Sequence, residues 1–205
     1  GYGQVGSWAA RLASQRGAII VGLADVGGTI HHGGGIDLKR IDAALHQGAA
    51  SVTETGIGDV VARGIDGSRV LFGLDADIAM PCALESAVHD KEALSMKAQL
   101  VVEGANGPLT PAADEILADR GVTIIPDVLA NAGGVTCSYL EQCQNFAHLT
   151  WDEDDVNARV TELMRAAFNR FYSFAESSNL PYRLATSVLG VKTIADAHRM
   201  RGLHP

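Results

Sequence analysis

The run Val122-Thr-Ile-Ile125 is short, β-branched and stopped by Pro126. Such a run, bounded by a turn signal, reads as a buried strand of a parallel sheet. Asn131-Ala-Gly-Gly134 follows and crosses into a helix carrying Ser138, Tyr139, Leu140, Gln142 and Asn145. A strand that ends in a glycine corner and restarts as a helix narrows the fold sharply. Open α/β sheets are built this way, and they hold ligands at the carboxyl ends of strands, where the next helix presents its free N–H groups. Gly133 and Gly134 lack the Cβ that would keep a ligand off the backbone.

The same corner recurs along the chain. Gly1-Tyr-Gly-Gln-Val-Gly6 opens into a helix with Val5, Trp8, Ala9, Leu12 and Ala13 on its apolar stripe, and Gly17 ends it as a C′ residue. Ala18 to Ala24 reads as a buried strand closed by Asp25, 19 residues after Gly6. A tight glycine turn, a helix, a strand and then an acid form the dinucleotide fingerprint, in which the acid meets the ribose hydroxyls. The strand that should precede Gly1 is missing, so the expectation is either that another segment or chain fills that slot or that the sequence omits residues that were once present.

Val26 to Gly35 reads as a glycine-rich loop or hairpin, and Asp37 as the N-cap of a helix to about Gln47 with Ile41, Ala44 and Leu45 inward. Ser51 to Arg69 has weak periodicity and one short helix near Gly58–Ala62. Ile78 to Pro81 is a short strand leading to Cys82-Ala-Leu-Glu85, Asp90 caps a helix through Ala98, and Leu100–Glu103 is a strand ending in Gly104-Ala-Asn-Gly-Pro108. Thr110 and Pro111 are the N-cap and first residue of a helix to Arg120. Four glycine- or proline-rich corners, at 1–6, 81–85, 104–108 and 131–134, thus fall at one expected sheet edge. Two long helices finish the chain. The first has Val156, Val160, Leu163, Met164, Ala167, Phe168, Phe171 and Tyr172 on one apolar face, and the second starts at Pro181 with Ala185, Val188, Leu189 and Ala195 inward.

The expected fold class is α/β, a Rossmann-like doubly wound and mostly parallel sheet whose first strand is missing, with C-terminal helices. The expected division is a dinucleotide-binding domain over residues 1–150 and a helical segment over 151–205 packed on it. At 205 residues and 47% hydrophobic, the chain is long enough to bury a full core. A formal net charge of −8 gives no footprint for nucleic acid. No apolar run approaches the roughly 18 residues that span a bilayer, so a soluble chain with no membrane partner is expected. Three cysteines, an odd number in no disulfide framework, suit a reducing cytoplasm. Cys137 and Cys143 are too far apart for one helical face, and His31-His32 has no ligand at metal spacing. No metal site is expected.

The strings G-Y-G-Q-V-G, D-I-A-M-P-C-A, V-V-E-G-A-N-G-P-L-T-P-A-A-D-E-I-L and A-N-A-G-G-V recur in order over nearly the whole chain. Together they resemble the nucleotide-binding half of the Glu/Leu/Phe/Val dehydrogenase family, specifically its glutamate dehydrogenases. That resemblance implies Gly1, Gly3 and Gly6 against a pyrophosphate, Asp25 near the adenosine ribose, and Cys82 and Ala83 lining the groove by their backbone. It also implies Asn106 and Asn131 at the nicotinamide end, with Val135 and Ser138 at the amino-acid pocket, the Ser138 hydroxyl helping to bind the side-chain carboxylate of glutamate. The continuation T-C-S-Y-L-E-Q-C-Q-N favours glutamate over leucine or phenylalanine.

The implied chemistry is oxidative deamination of L-glutamate to 2-oxoglutarate and ammonia, with NAD as hydride acceptor and NADP possible. Asp25 favours NAD because a carboxylate repels a 2′-phosphate, and Val26 brings no compensating charge. The family's catalytic lysine and aspartate belong to a separate N-terminal domain absent here. The four lysines, Lys39, Lys91, Lys97 and Lys192, lie in no catalytic context, so no catalytic residue is assigned. Full-length relatives form hexamers chiefly through the absent domain, implying a homo-oligomer at full length and a smaller or variable state for this chain alone. Ser86 stands where relatives commonly carry Asn. Two alternatives stay open: a non-catalytic nucleotide-binding or assembly fragment, and a dehydrogenase for another amino acid.

Overall fold

The computed structural model describes residues 1–202. The last three residues of the expected 151–205 segment lie outside the described residues. The chain divides into two compact units, Gly1–Ile124 and Ile125–Pro205.

In the first unit, helix α1 (Gln4–Gln15) follows the glycine turn directly. Gly17, at φ +94°, ends it as expected. The Gly17 and Ala18 amides donate back to the carbonyls of Ser14 and Ala13, which closes the helix in a Schellman motif. The outward face of α1 differs from the expected one. Val5, Trp8 and Leu12 are exposed, and it is Ala10 and the preceding Tyr2 that are buried.

Strand β1 (Gly22–Asp25) is shorter than the run Ala18–Ala24, and Ile19 is exposed. It turns through Val26 and Gly27 into β2 (Gly28–His31), with Asp25 opposite Gly28 in antiparallel register. Helix α2 (Leu38–His46) is capped by the Asp37 carboxylate, which accepts from Arg40 N–H, and it buries Ile41 completely. The helix expected near Gly58–Ala62 is instead strand β3 (Asp59–Arg63), antiparallel to β2. Gly58 sits at φ +73°, outside the helical region, and the β-branched pair Val60-Val61 suits the open edge of β2. A short helix α3 (Gly64–Gly67) follows. Tyr2, Ala10, Leu23, Ile30, Ile36, Leu38, Ile41 and Val52 form the core of this part.

Strand β4 (Ile78–Ala79) leads to helix α4 (Asp90–Ser95) and strand β5 (Leu100–Val102), which pairs parallel to β4. Helix α5 (Pro111–Asp119) then leads to β6 (Thr123–Ile125) on the other side of β5. Thr110 and Pro111 start α5 as expected, the Thr110 hydroxyl accepting from Ala113 N–H. Helix α4 corrects two expectations. His89, not Asp90, is its N-cap, in a box with Glu92 whose carboxylate accepts from His89 N–H at 3.0 Å. It also ends at Ser95, because Met96 leaves in an extended conformation and is fully buried. The Arg120 guanidinium donates to the carbonyls of Ala93 and Met96 at that end. A second core of Phe72, Val88, Met96, Val101, Leu117 and neighbours fills this part.

The architecture is therefore α/β with a parallel sheet, but the strands form two three-stranded sheets, the first of them antiparallel. The mostly parallel pattern expected from sequence fails at β1–β2. A parallel pair needs a crossover of a dozen or more residues, and only Val26 and Gly27 connect these strands.

The second unit is helical: α6 (Asp127–Ala130), α7 (Gly133–Ala147), α8 (Glu153–Ser178) and α9 (Tyr182–Arg201). Asp152 caps α8 by accepting from Asp155 N–H at 2.8 Å, and Asn179 ends it in the left-handed conformation. Leu129, Phe171, Ala175 and Ala185 are its buried core, with the Phe171 and Tyr182 rings edge to face at 5.1 Å. The wide apolar face expected on α8 is only partly covered: Phe171 is buried, whereas Leu163, Phe168 and Tyr172 are exposed. On α9, Ala185 is buried and Val188 is exposed. Among the described residues no helix is long and apolar enough to cross a membrane.

Candidate functional site

Three of the four corners meet in the first unit. A Cβ added at Gly6 would stand 1.9 Å from the Gly1 carbonyl oxygen, and one at Gly1 would stand 2.7 Å from the Ala83 Cβ. The turn can take this shape only without side chains at both positions, and it lies directly against Cys82 and Ala83. Gly104 packs as closely, since a Cβ there would be 2.6 Å from the Cys82 sulfur. Burial pushes the Cys82 thiol above its ordinary pKa, which keeps it neutral.

Gly3 is different. It is exposed, a Cβ on it would meet nothing within 4 Å, and its extended backbone caps α1 with no side-chain hydrogen bond. The start of a 12-residue helix thus presents its first N–H groups beside an open backbone. Helix starts with free N–H groups and no side chain in the way are the kind of place where an anion such as a phosphate can be held.

Tyr2 N–H donates to the Ala24 carbonyl at 2.6 Å, which seats the glycine turn on the end of β1 beside Asp25. The Asp25 carboxylate is held twice. Oδ1 accepts from Gly27 N–H at 2.8 Å and Oδ2 from Val52 N–H at 2.7 Å. The Val52 contribution is a backbone group from a buried turn of weak periodicity, and no residue pattern announces it.

The loops 81–88 and 104–110 are laced together. Gly104 and Ala105 N–H both donate to the Pro81 carbonyl, Ser86 N–H to Gly107 and Val88 N–H to Pro108. Asn106 sits on this laced rim, exposed beside Gly107 at φ +49°. Ser86 also lies in the left-handed region, at φ +50°, an uncommon conformation for a residue with a side chain.

The chain matches the model of the Glutamate/Leucine/Phenylalanine/Valine dehydrogenase family over residues 1–202. It belongs to that family. This chain is 39% identical to an NAD-specific glutamate dehydrogenase of Staphylococcus aureus over 98% of its own length and 47% of the relative's. It is also 39% identical to NADP-specific glutamate dehydrogenase A1 of Halobacterium salinarum, over 100% of its own length and 48% of the relative's. Among solved structures it is similar to the hetero-hexameric glutamate dehydrogenase of Thermus thermophilus in its Leu-bound form. The TM-score is 0.88 at 28% identity, covering 100% of this chain and 47% of the other. The chain spans about half the length of the relatives it matches.

The fourth corner and the remaining family positions belong to the second unit. Asn131, half-buried, ends α6, and Gly133 opens α7. Val135 and Ser138 are exposed on α7. An open groove of about 350 Å³ runs along that helix, lined by Ser138, Glu141, Gln142, Asn145 and Phe146. Its polar lining includes three of the residues that the sequence places on this helix. No cluster of three or more His, Cys, Asp or Glu residues suited to a metal ion occurs among the described residues.

Proposed function

We propose that this chain is the nucleotide-binding half of a glutamate dehydrogenase, a Rossmann-like part of an enzyme that deaminates L-glutamate oxidatively to 2-oxoglutarate and ammonia. The observation that carries this is the seating of the Gly1–Gly6 turn. Gly3 is open above an uncapped helix start, and Asp25 is fixed one residue beyond the strand position that Tyr2 grips. Gly1, Gly3 and Gly6 approach the pyrophosphate of a nicotinamide dinucleotide, and Asp25 accepts from its adenosine ribose. Cys82 and Ala83 form the groove wall, and Asn106 and Asn131 hold the nicotinamide end. Val135 and Ser138 serve the amino-acid pocket. The coenzyme, when bound, supplies the hydride acceptor; these residues bind and orient it.

The reading includes NAD in preference to NADP. With both oxygens tied to backbone N–H groups, the Asp25 carboxylate cannot swing away from a 2′-phosphate, and repulsion follows. In the same reading the two three-stranded sheets are parts of one doubly wound sheet, completed by a strand from outside the described residues. Residues 1–150 carry the dinucleotide and 151–205 form a helical segment. The catalytic acid–base groups come from the rest of a cytoplasmic homo-oligomer.

Calorimetric titration with NADH and NADPH tests the binding step, with tighter NADH binding expected. Glutamate turnover by the protein at the length of its relatives tests the reaction. A substrate panel in which leucine or valine outperforms glutamate would overturn the choice of amino acid.

A further inference from the structure

Tyr2 lies inside the glycine turn and is held at both ends. Its backbone N–H donates to Ala24 on β1 at 2.6 Å. Its ring is buried in the core with Ala10, Leu23 and Ile41. Its phenol O–H donates to Oδ1 of Asp42, on α2, at 2.9 Å. The other Asp42 oxygen accepts from Arg11 Nε, on α1, at 2.8 Å. Arg11, and then the Tyr2 phenol, hold the Asp42 carboxyl below its ordinary pKa, so it is a carboxylate at neutral pH.

The bonds of this relay join four different pieces: the turn, β1, α2 and α1. The turn's backbone is held by its packing on Cys82 and Ala83 and by the bond to the Ala24 carbonyl, and only the latter is a directional bond. The phenol gives the turn a second fixed point, on an element that carries none of the residues assigned to the dinucleotide. A turn already ordered before binding does not have to be ordered by the ligand, which raises affinity.

We propose that Asp42, braced by Arg11, is a positioning residue for the dinucleotide: through the Tyr2 phenol it sets where Gly1–Gly3 stands over the end of β1. This rests on the dinucleotide reading of the turn. Asp42 and Arg11 touch no ligand; they act by holding Tyr2. A merely structural fastener would change stability and leave ligand affinity alone.

The test is NADH titration of the protein and of Tyr2→Phe, Asp42→Asn and the double variant, each also followed by thermal unfolding. Arg120→Ala, which loses two carbonyl contacts at the end of α4, serves as a destabilised control. Each single variant is expected to weaken NADH by about three- to tenfold, the effect of one hydrogen bond. The double variant should be no weaker than Asp42→Asn, because both substitutions cut one relay. The control should unfold earlier at unchanged NADH affinity. Single variants that bind NADH like the wild type, or a double variant whose losses multiply, overturn the proposal. A wild type that binds no NADH overturns the dinucleotide reading itself and this inference with it. Tyr2→Phe keeps the buried ring, so it decides the question if Asp42→Asn does not fold.

Discussion

Val52 N–H donates to Oδ2 of Asp25 at 2.7 Å across 27 residues of sequence. The acid that would meet the ribose is therefore also a fastener between the end of β1 and a buried turn. Asp25→Asn puts an amide NH₂ where one of two N–H donors needs an acceptor. It should cost about 1–3 kcal/mol, seen as a lower unfolding midpoint, while the ratio of NADPH to NADH affinity rises. An unchanged midpoint would remove the fastening role, and an unchanged ratio the selectivity role.

Gly3 and Gly6 should separate ligand binding from folding. Gly3→Ala adds a methyl to open space, so the unfolding midpoint should hold while NADH affinity drops at least tenfold if that space takes the pyrophosphate, as proposed. Gly6→Ala drives a methyl into the Gly1 carbonyl and should lose about 1–3 kcal/mol of stability as well. Calorimetry and thermal unfolding on both variants check the contrast; NADH binding by Gly3→Ala at wild-type strength would dismiss the open backbone as a phosphate site.

Ser86 holds a left-handed backbone that favours glycine or asparagine. Ser86→Gly and Ser86→Asn should each stabilise the protein by about 0.5–1 kcal/mol. Denaturant titration reads this directly, and two destabilised variants would show that the serine side chain contributes more than its strain.

The Asp42 carboxyl is lowered from 3.8, chiefly by its hydrogen bond from Arg11. A folded-state pKa below the unfolded value stabilises the protein above that value, and the contribution is lost as pH falls through the folded pKa. Asp42→Asn should therefore unfold earlier than wild type at neutral pH, and the two curves should converge in acid below 3.8. Curves that stay parallel well below 3.8 would show that the carboxylate's charge contributes nothing.

Ser138→Ala should raise the KM for glutamate about tenfold, the cost of one charge-assisted hydrogen bond, in the protein at its relatives' length. NADH affinity should not move. Wild-type KM in that variant would take Ser138 out of the amino-acid pocket.

Where a local pattern determines the structure, the sequence was readable. Thr110-Pro111 started its helix, Gly17 ended one, and Asp37 capped another, because each acts within a turn of its own position. The glycine corners were also legible, since Gly1 and Gly6 are required by contacts that leave no room for a Cβ. Two things were not. Val60-Val61 became an edge strand because β2 offered unpaired backbone, a tertiary partner that no window of residues contains. The stripe Val5, Trp8, Leu12 has helical spacing but lies exposed, since periodicity identifies a face without saying what covers it. The Asp42–Tyr2 and Val52–Asp25 bonds span 40 and 27 residues, and distance along the chain hid both.

The lacing of loops 81–88 and 104–110 has a mechanical outcome. Two strand ends that would flex separately are stitched by five backbone hydrogen bonds into a single stiff lip. A ligand resting on either loop is supported by both, and a distortion introduced at Ala105 would be felt at Pro81.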